Sequence, residues 1–148
     1  MTKNFIETLL FSTLAINAAL LFFIADILKK MLHSIDKVTA KNLITSMVRF
    51  SSKSVFMILI LNLPFLLAIP YYWCYGFGNT WITAGLALWM VAGSLSKVYK
   101  IPVYKRLAAL DVSATDDTAN QHRKFDQGNL FQAILYAAAA VLSGIGLL

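Results

Sequence analysis

Three long stretches of this chain contain no charged residue. They cover residues 8–25, 54–96 and 127–148, which are 18, 43 and 22 residues long. A helix that crosses a bilayer needs about 20 mainly apolar residues. The first and last stretches each fit one crossing, and the middle stretch fits two crossings with a short turn. Because backbone groups cannot stay unpaired in lipid, we predict an all-α, polytopic membrane protein. Its single domain, residues 1–148, would be a four-transmembrane-helix antiparallel bundle.

The four predicted spans cover about residues 6–28, 55–72, 81–98 and 129–148. Gly76, Gly78 and Asn79 favour a tight turn between the second and third spans. We expect the first span to be retained and not cleaved as a signal peptide. Glu7 lies early in it, and its apolar stretch exceeds the usual length of about 7–15 residues. This composition excludes a soluble enzyme and a disordered tail. No nucleic-acid partner is expected, although the sequence pI is about 9.6.

The positive charges are concentrated in two segments. Twelve of the 13 Lys and Arg residues lie in residues 29–53 and 97–124. Four spans put these two segments on one side, and the positive-inside rule makes that side cytoplasmic. We therefore predict a multi-pass protein of the plasma membrane or the bacterial inner membrane. Residues 29–53 and 99–127 would be cytoplasmic, and both termini would lie outside. The basic segments would attract anionic lipid headgroups, or alternatively an acidic partner or substrate.

The two basic segments are not simple loops. Leu43, Met47 and Phe50 recur at helical spacing, which predicts a helix, with an extension of the second span as one interpretation. Pro102 is expected to break or kink the chain. Asp111 to Asp117 is predicted to be a loop. The last helix would start at Thr118 or Asn120.

The turn between the second and third spans is rich in aromatic residues. Trp and Tyr concentrate at membrane interfaces, so this cluster is interpreted as a membrane anchor, with the cap of a ligand pocket as the alternative. Its members are Tyr71, Tyr72, Trp73, Tyr75, Phe77 and Trp81. In the fourth span small residues predict close packing inside the bundle, since they allow helices to approach one another. They are Ala133, Ala137, Ala140 and Gly144.

Few polar residues lie inside the spans. Asn17 is near the middle of the first span and Asn62 is in the second, close to Pro64. A buried amide needs a hydrogen-bonding partner. The two could hold helices together, or Asn62 could satisfy backbone freed by Pro64. The functional alternative makes them polar anchors in an apolar cavity.

Asp26 lies near the cytoplasmic end of the first span. It precedes Lys29 and Lys30 by three and four residues, a spacing that permits a local ion pair. An ionisable group near the membrane is also a functional candidate, and Lys97 could be its partner at the equivalent depth of the third span.

No metal or cofactor site is predicted. His33 and His122 are interpreted as surface residues without a partner at metal-site spacing, and no histidine lies inside a span to hold haem. Cys74 is the only cysteine, which excludes an intrachain disulfide and a cysteine-rich metal site.

Two stretches near the third and fourth spans resemble a known family. Lys100 to Asp111 and Arg123 to Asn129, followed by an apolar last helix, are similar to the second half of the small four-helix membrane proteins that include the fungal anthrone oxygenases. Members tend to end the third span with an aliphatic-Pro-aliphatic-Asn-x-x-Leu segment and to enter the fourth through an aromatic residue, then Asn, then Arg. The matching residues are Pro102, Leu107, Phe125 and Asn129, while Tyr104 replaces the usual Asn and Gln132 the usual Arg.

The resemblance implies an oxygenase that adds oxygen to an activated polycyclic phenol without a metal or flavin cofactor. Such chemistry needs a base. Since no histidine lies in a predicted span, Asp26 could stand in only if its carboxylate were unusually basic. The pocket would open at the cytoplasmic leaflet, bounded by Asp26, Lys97, Tyr104, Arg123 and Asn129.

Three functions compete at this point. The favoured one is a bundle that binds a small hydrophobic or lipid-like ligand, or a membrane partner, including a second copy of itself. The second is a cofactor-independent membrane oxygenase or oxidoreductase. The third is a small transporter, which should have an ionisable residue near the midplane, whereas Glu7 and Asp26 lie toward opposite ends of the first span. No catalytic residue is assigned, and the ligand-binding candidates are Asn17, Asp26, Asn62, Lys97, Tyr104, Arg123 and Asn129.

Overall fold

The described part of the chain is helical. The computed structural model describes residues 2–51, 53–109 and 115–148, and within these ranges there are five helices and no strand. They are α1 (Lys3–Ser34), α2 (Lys37–Ser51), α3 (Val55–Tyr75), α4 (Thr80–Ala109) and α5 (Thr115–Ile145). The predicted all-α class is confirmed. Helices α1, α3, α4 and the Ala119–Ile145 part of α5 are long and apolar enough to cross a membrane.

Helix α5 occupies the centre of the bundle. It packs against α4 and against α1, and α3 packs against α1 at the edge. Ala133, Ala139 and Ala140 of α5 are buried, and such small side chains let neighbouring helices approach closely. The predicted packing of the last span inside the bundle is confirmed. Along the whole of α3, by contrast, Pro64 and Tyr71 are the only buried residues.

A glycine allows the close approach of α4 and α5. A Cβ atom added at Gly85 would collide with Ser143 Oγ and would lie 2.7 Å from the carbonyl oxygen of Ala139. A backbone oxygen cannot move aside as a flexible side chain can. The contact therefore requires glycine at this position.

The two ends of the bundle differ in composition. We call the end that carries the turn between α3 and α4 the aromatic end, and the opposite end, with α2, the basic end. At the aromatic end Trp73, Phe77 and Trp81 are exposed, whereas Tyr71 is fully buried. Gly76 ends α3 with a φ of 65°, a left-handed conformation that favours glycine. The aromatic cluster therefore contains exposed rings that suit an interface, two partly buried residues, Tyr72 and Tyr75, and a core residue, Tyr71.

Wide π-helical turns interrupt α1 and α4 near the basic end. They cover Ile24–Leu28 and Ser96–Lys100. Such a turn holds one more residue than an α-helical turn. Pro102 follows the second of them, and α4 continues past it to Ala109, so the chain break that was one of the two expected outcomes does not occur. A proline ring crowds the carbonyl four residues earlier. For Pro102 this is the carbonyl of Val98, which lies within the wide turn.

Helix α2 is a separate element and does not extend the second span. It ends at Ser51, and α3 begins at Val55, where the Ser54 hydroxyl accepts a hydrogen bond from the Met57 N–H. At its start, the Thr39 N–H donates to Asp36 Oδ1 over 3.0 Å. Hydrogen bonds from the Thr39 side chain and backbone hold the pKa of Asp36 below its ordinary value. Two local caps thus separate α2 from both neighbours.

Helix α2 lies over the basic end through an apolar cluster. The buried residues of this cluster are Leu28, Leu32, Ala40, Ile44, Val103, Leu107 and Phe125. They come from α1, α2, α4 and α5, so the cluster continues the packed interior beyond the apolar part of the spans.

The last helix starts earlier than predicted. Helix α5 begins at Thr115 and not at Thr118 or Asn120, so residues 115–117 are helical where a loop was expected. The remainder of the predicted loop, residues 111–114, lies outside the described residues. The apolar pattern that locates a span does not mark the polar turns that precede it.

We expect Gly85→Ala to destabilise the bundle and Gly93→Ala to have little effect. Gly85 has no room for a methyl group, and overpacking of this kind typically costs about 1–3 kcal/mol. A Cβ at Gly93 on the same helix would meet only the Tyr136 hydroxyl, at 3.5 Å, an ordinary contact. Unfolding in mild detergent, followed by circular dichroism, measures both variants. Equal stabilities would contradict the proposed close contact.

Candidate functional site

A groove lies between α4 and α5 near the basic end. Its volume is about 290 Å³, and it is lined by Leu95, Tyr99, Lys100, Gln127, Gly128 and Phe131. A Cβ at Gly128 would lie 3.0 Å from two ring carbons of Tyr99 and 3.3 Å from Lys100 Cγ. Glycine therefore lets these two α4 side chains lie directly on the backbone of α5. The result is a mainly apolar groove with one cationic residue in its wall.

Lys100 is held by a short chain of polar contacts. Its Nζ donates to Gln132 Oε1 over 2.9 Å, and Gln132 Nε2 donates to the carbonyl oxygen of Ala92 over 2.9 Å. The Lys100 ammonium also lies 5.9 Å from the ring centre of Phe125, within the range of a cation–π interaction. The ammonium is thus turned toward α5.

Lys100 has no carboxylate partner among the described side chains. The ion pairs found there join Lys3 to Glu7, Lys30 to Asp26 and His33 to Asp126. Gln132 supplies a neutral acceptor only. A partly buried ammonium with no opposite charge is costly, since burial removes its hydration. Lys100 is therefore the charged residue of the groove lining, and no described carboxylate compensates its charge.

None of the five residues predicted to bound a pocket lines this groove. Lys97 and Arg123 are exposed, and Tyr104 is half-buried. Asn129 directly follows Gly128 and is 2% exposed, and its Oδ1 has no hydrogen-bond partner in the described structure. The predicted pocket and this groove therefore share the basic end of the bundle but no lining residue.

Asp26 forms the local ion pair that its spacing predicts. Its Oδ1 lies 2.8 Å from Lys30 Nζ, and the two side chains are 62% and 74% exposed. Asp26 is therefore paired with Lys30 and not with Lys97 in the described structure.

The two midspan asparagines have different surroundings. Asn17 is fully buried, and neither Nδ2 nor Oδ1 has a partner among the described residues. Asn62 is exposed, and its Nδ2 donates to the carbonyl of Ile58, four residues earlier in the same helix. Pro64 frees the carbonyl of Ile60, so Asn62 does not satisfy it. In the described structure, Asn17 makes no side-chain hydrogen bond and Asn62 makes one within its own helix, so neither residue supplies a hydrogen bond between helices.

A buried carboxylate at the aromatic end was missed as a site residue. Glu7 is 5% exposed, and its Oε1 accepts hydrogen bonds from Tyr71 Oη over 2.7 Å and from Asn79 Nδ2 over 3.1 Å. Asn79 Nδ2 also lies 2.8 Å from the carbonyl oxygen of Gly146. The group connects α1, α3, the turn before α4 and the end of α5. Glu7 interrupts an apolar run, which was the available signal, but its partners are distant in sequence.

A second polar cluster joins α1 to α5 at the basic end. His33 Nε2 lies 3.0 Å from Asp126 Oδ2, and both residues, with Leu32, Ile44 and His122, line a cavity of about 10 Å³. That volume is near the space that one water molecule needs, about 10–15 Å³. His122 lies four residues before Asp126 on a helix, so the expectation that neither histidine has a suitably spaced partner is wrong. The described residues nevertheless contain no group of three His, Cys, Asp or Glu arranged to hold a metal ion.

Comparison with known protein families, curated proteins and solved structures finds no match to this chain. The resemblance to the anthrone oxygenases therefore stays a prediction.

We expect Tyr71→Phe to destabilise the bundle more than Tyr72→Phe. The first change removes a 2.7 Å hydrogen bond to the buried Glu7, and the second removes a 3.1 Å bond to the partly buried Thr83 hydroxyl. Hydrogen bonds to charged groups contribute about 1.5–3 kcal/mol, and neutral ones about 0.5–1.5 kcal/mol. Thermal unfolding of the detergent-solubilised protein measures the difference. The reverse order would show that the Glu7 cluster contributes little to stability.

Proposed function

We propose that this protein is a membrane-embedded binding protein for a lipid-like ligand, whose apolar part lies in the groove between α4 and α5. The observation that carries the proposal is the groove itself, walled by Leu95, Tyr99 and Phe131. Ligand sites typically combine mainly apolar walls with a few polar groups, in volumes of about 300–1,000 Å³. The groove, at about 290 Å³, suits one acyl chain or one aromatic ring system.

The position of the groove supports a ligand that arrives through the bilayer. Its residues lie where the uncharged run of α4 ends and that of α5 begins, at residues 96 and 127. Twelve of the 13 Lys and Arg residues lie in the segments at this end. By the positive-inside rule the groove then opens to the cytoplasmic leaflet, and a membrane lipid could enter it from the side.

The two competing functions find less support in the geometry. An oxygenase of the anthrone type needs a base beside its substrate, but His33 and His122 line a separate cavity with Asp126. A transporter of the predicted kind needs an ionisable group near the midplane. The buried Glu7 lies at the aromatic end and has hydrogen-bonding partners.

Filling the groove should block ligand binding. Gln127 is exposed and lines the groove, so we expect Gln127→Trp to reduce severalfold the labelling of the protein by a lipid with a photoreactive acyl chain. Leu130→Trp is the matched control, because Leu130 is exposed on the same helix and does not line the groove. Nanodiscs and peptide mass spectrometry would locate the labelled residues. Labelling that is spread evenly around the bundle, and equal in both variants, would contradict a specific site.

A further inference from the structure

We propose that the ligand is an anionic amphiphile, whose phosphate or carboxylate head binds the Lys100 ammonium while its apolar chain lies along the groove. This inference rests on the proposed function and adds the chemical class of the ligand to it. Lys100 is a wall residue of the groove, beside Gly128 and Tyr99. Head and chain would therefore occupy one continuous site.

The ammonium of Lys100 has unused bonding capacity. A lysine side chain offers three N–H donors and no acceptor. One donor is directed at Gln132 Oε1, and the ring of Phe125 lies 5.9 Å away. Both contacts are with neutral groups, so they orient the charge without compensating it. An anion in the groove would provide the missing opposite charge.

Gln132 fixes the direction of that charge. Because Gln132 Nε2 donates to the carbonyl of Ala92, its oxygen is the atom turned toward Lys100. Rotating the amide by 180° would turn its NH₂ group toward the Lys100 ammonium and its oxygen toward the carbonyl oxygen of Ala92. Both hydrogen bonds would then be lost. Gln132 is buried, at 3% exposed, so this orientation is built into the packed contact between α4 and α5. Lys100 is consequently held at the groove and does not extend freely into solvent as Lys105 does on the exposed side of α4.

The other groove residues match the two parts of such a ligand. Gln127 and Tyr99 carry N–H and O–H donors, which suit phosphate or carboxylate oxygens. Leu95 and Phe131 supply apolar surface for a chain. An acidic peptide would need a wider and more polar surface than a groove of about 290 Å³. The chemistry therefore favours a small amphiphile such as a phospholipid or a fatty acid.

The test compares competitors that differ in the charge of the head group and in whether they carry an acyl chain. The protein in phosphatidylcholine nanodiscs is labelled with a photoreactive phosphatidylcholine, and unlabelled competitors are added. The competitors are phosphatidic acid with the same chains, oleate, phosphatidylcholine itself and inorganic phosphate. We expect phosphatidic acid and oleate to compete about tenfold better than phosphatidylcholine, because one charge-assisted hydrogen bond is worth about that factor.

Three variants assign the preference to Lys100. Lys100→Gln should abolish the tenfold advantage of the anionic lipids while labelling in the groove continues, and Lys100→Arg should retain it. Lys105→Gln is the matched control, since it removes one charge from an exposed position of the same helix, and it should behave as the wild type. Thermal unfolding of each variant identifies any that fails to fold, and Lys100→Arg then carries the comparison.

The outcomes separate this inference from the function on which it rests. Saturable labelling of the groove with no preference for anionic heads would overturn the inference and leave the proposed function standing. A preference that survives in Lys100→Gln would overturn the assignment to Lys100. Inorganic phosphate that competes as well as phosphatidic acid would identify a free-anion site and overturn the amphiphile. Absence of saturable labelling would overturn the function as well.

Discussion

The close contact between α4 and α5 determines the rest of this structure. At Gly85 the two helices approach so closely that a methyl group would meet the backbone of Ala139, and at Gly128 two side chains of α4 lie on the backbone of α5. In lipid there is no hydrophobic force between apolar helices, so packing and hydrogen bonds hold them together. The first contact leaves no space, whereas the second leaves the groove. The tightly packed part of this interface and the part to which we assign the ligand therefore lie at different positions along one helix pair.

The charged groups at the two ends of the bundle differ in whether a partner of opposite charge lies near them. The carboxylate of Glu7 accepts two hydrogen bonds and lies 3.7 Å from the Lys3 ammonium, so its charge is compensated inside the protein. The ammonium of Lys100 is oriented by Gln132 and Phe125 but has no described carboxylate partner. A compensated charge stabilises a fold, and an oriented but uncompensated one can bind a ligand. Between the two ends, Asn17 is buried without a hydrogen-bond partner among the described residues.

The sequence predicts the positions of the apolar helices, because these depend only on whether each segment contains charged residues. Charge-free runs locate all four apolar helices, because each crossing must avoid charge over its own length. It does not predict pairs such as Glu7 with Tyr71, Lys100 with Gln132, or His33 with Asp126. These are 64, 32 and 93 residues apart, and helix packing brings them together. Asn129 is predicted as a site residue because its side chain is polar. Its neighbour Gly128 is not predicted, because it shapes the groove by lacking a side chain, and only the packing of α4 on α5 shows this.

The wide turn at Ser96–Lys100 has a consequence for how this chain could change in evolution. It amounts to one inserted residue in α4, so the residues beyond it are rotated by about 100° relative to an unbroken α-helix. Deleting that residue would restore regular α-helical turns but rotate Val103 and Leu107 away from the cluster they share with α2. Ala92 and Trp89, on the other side of the turn, would keep their places in the main core. The extra residue thus sets the rotation between the main core and the cluster at the basic end. Its loss in evolution would have to be accompanied by substitutions that repack one of these two surfaces.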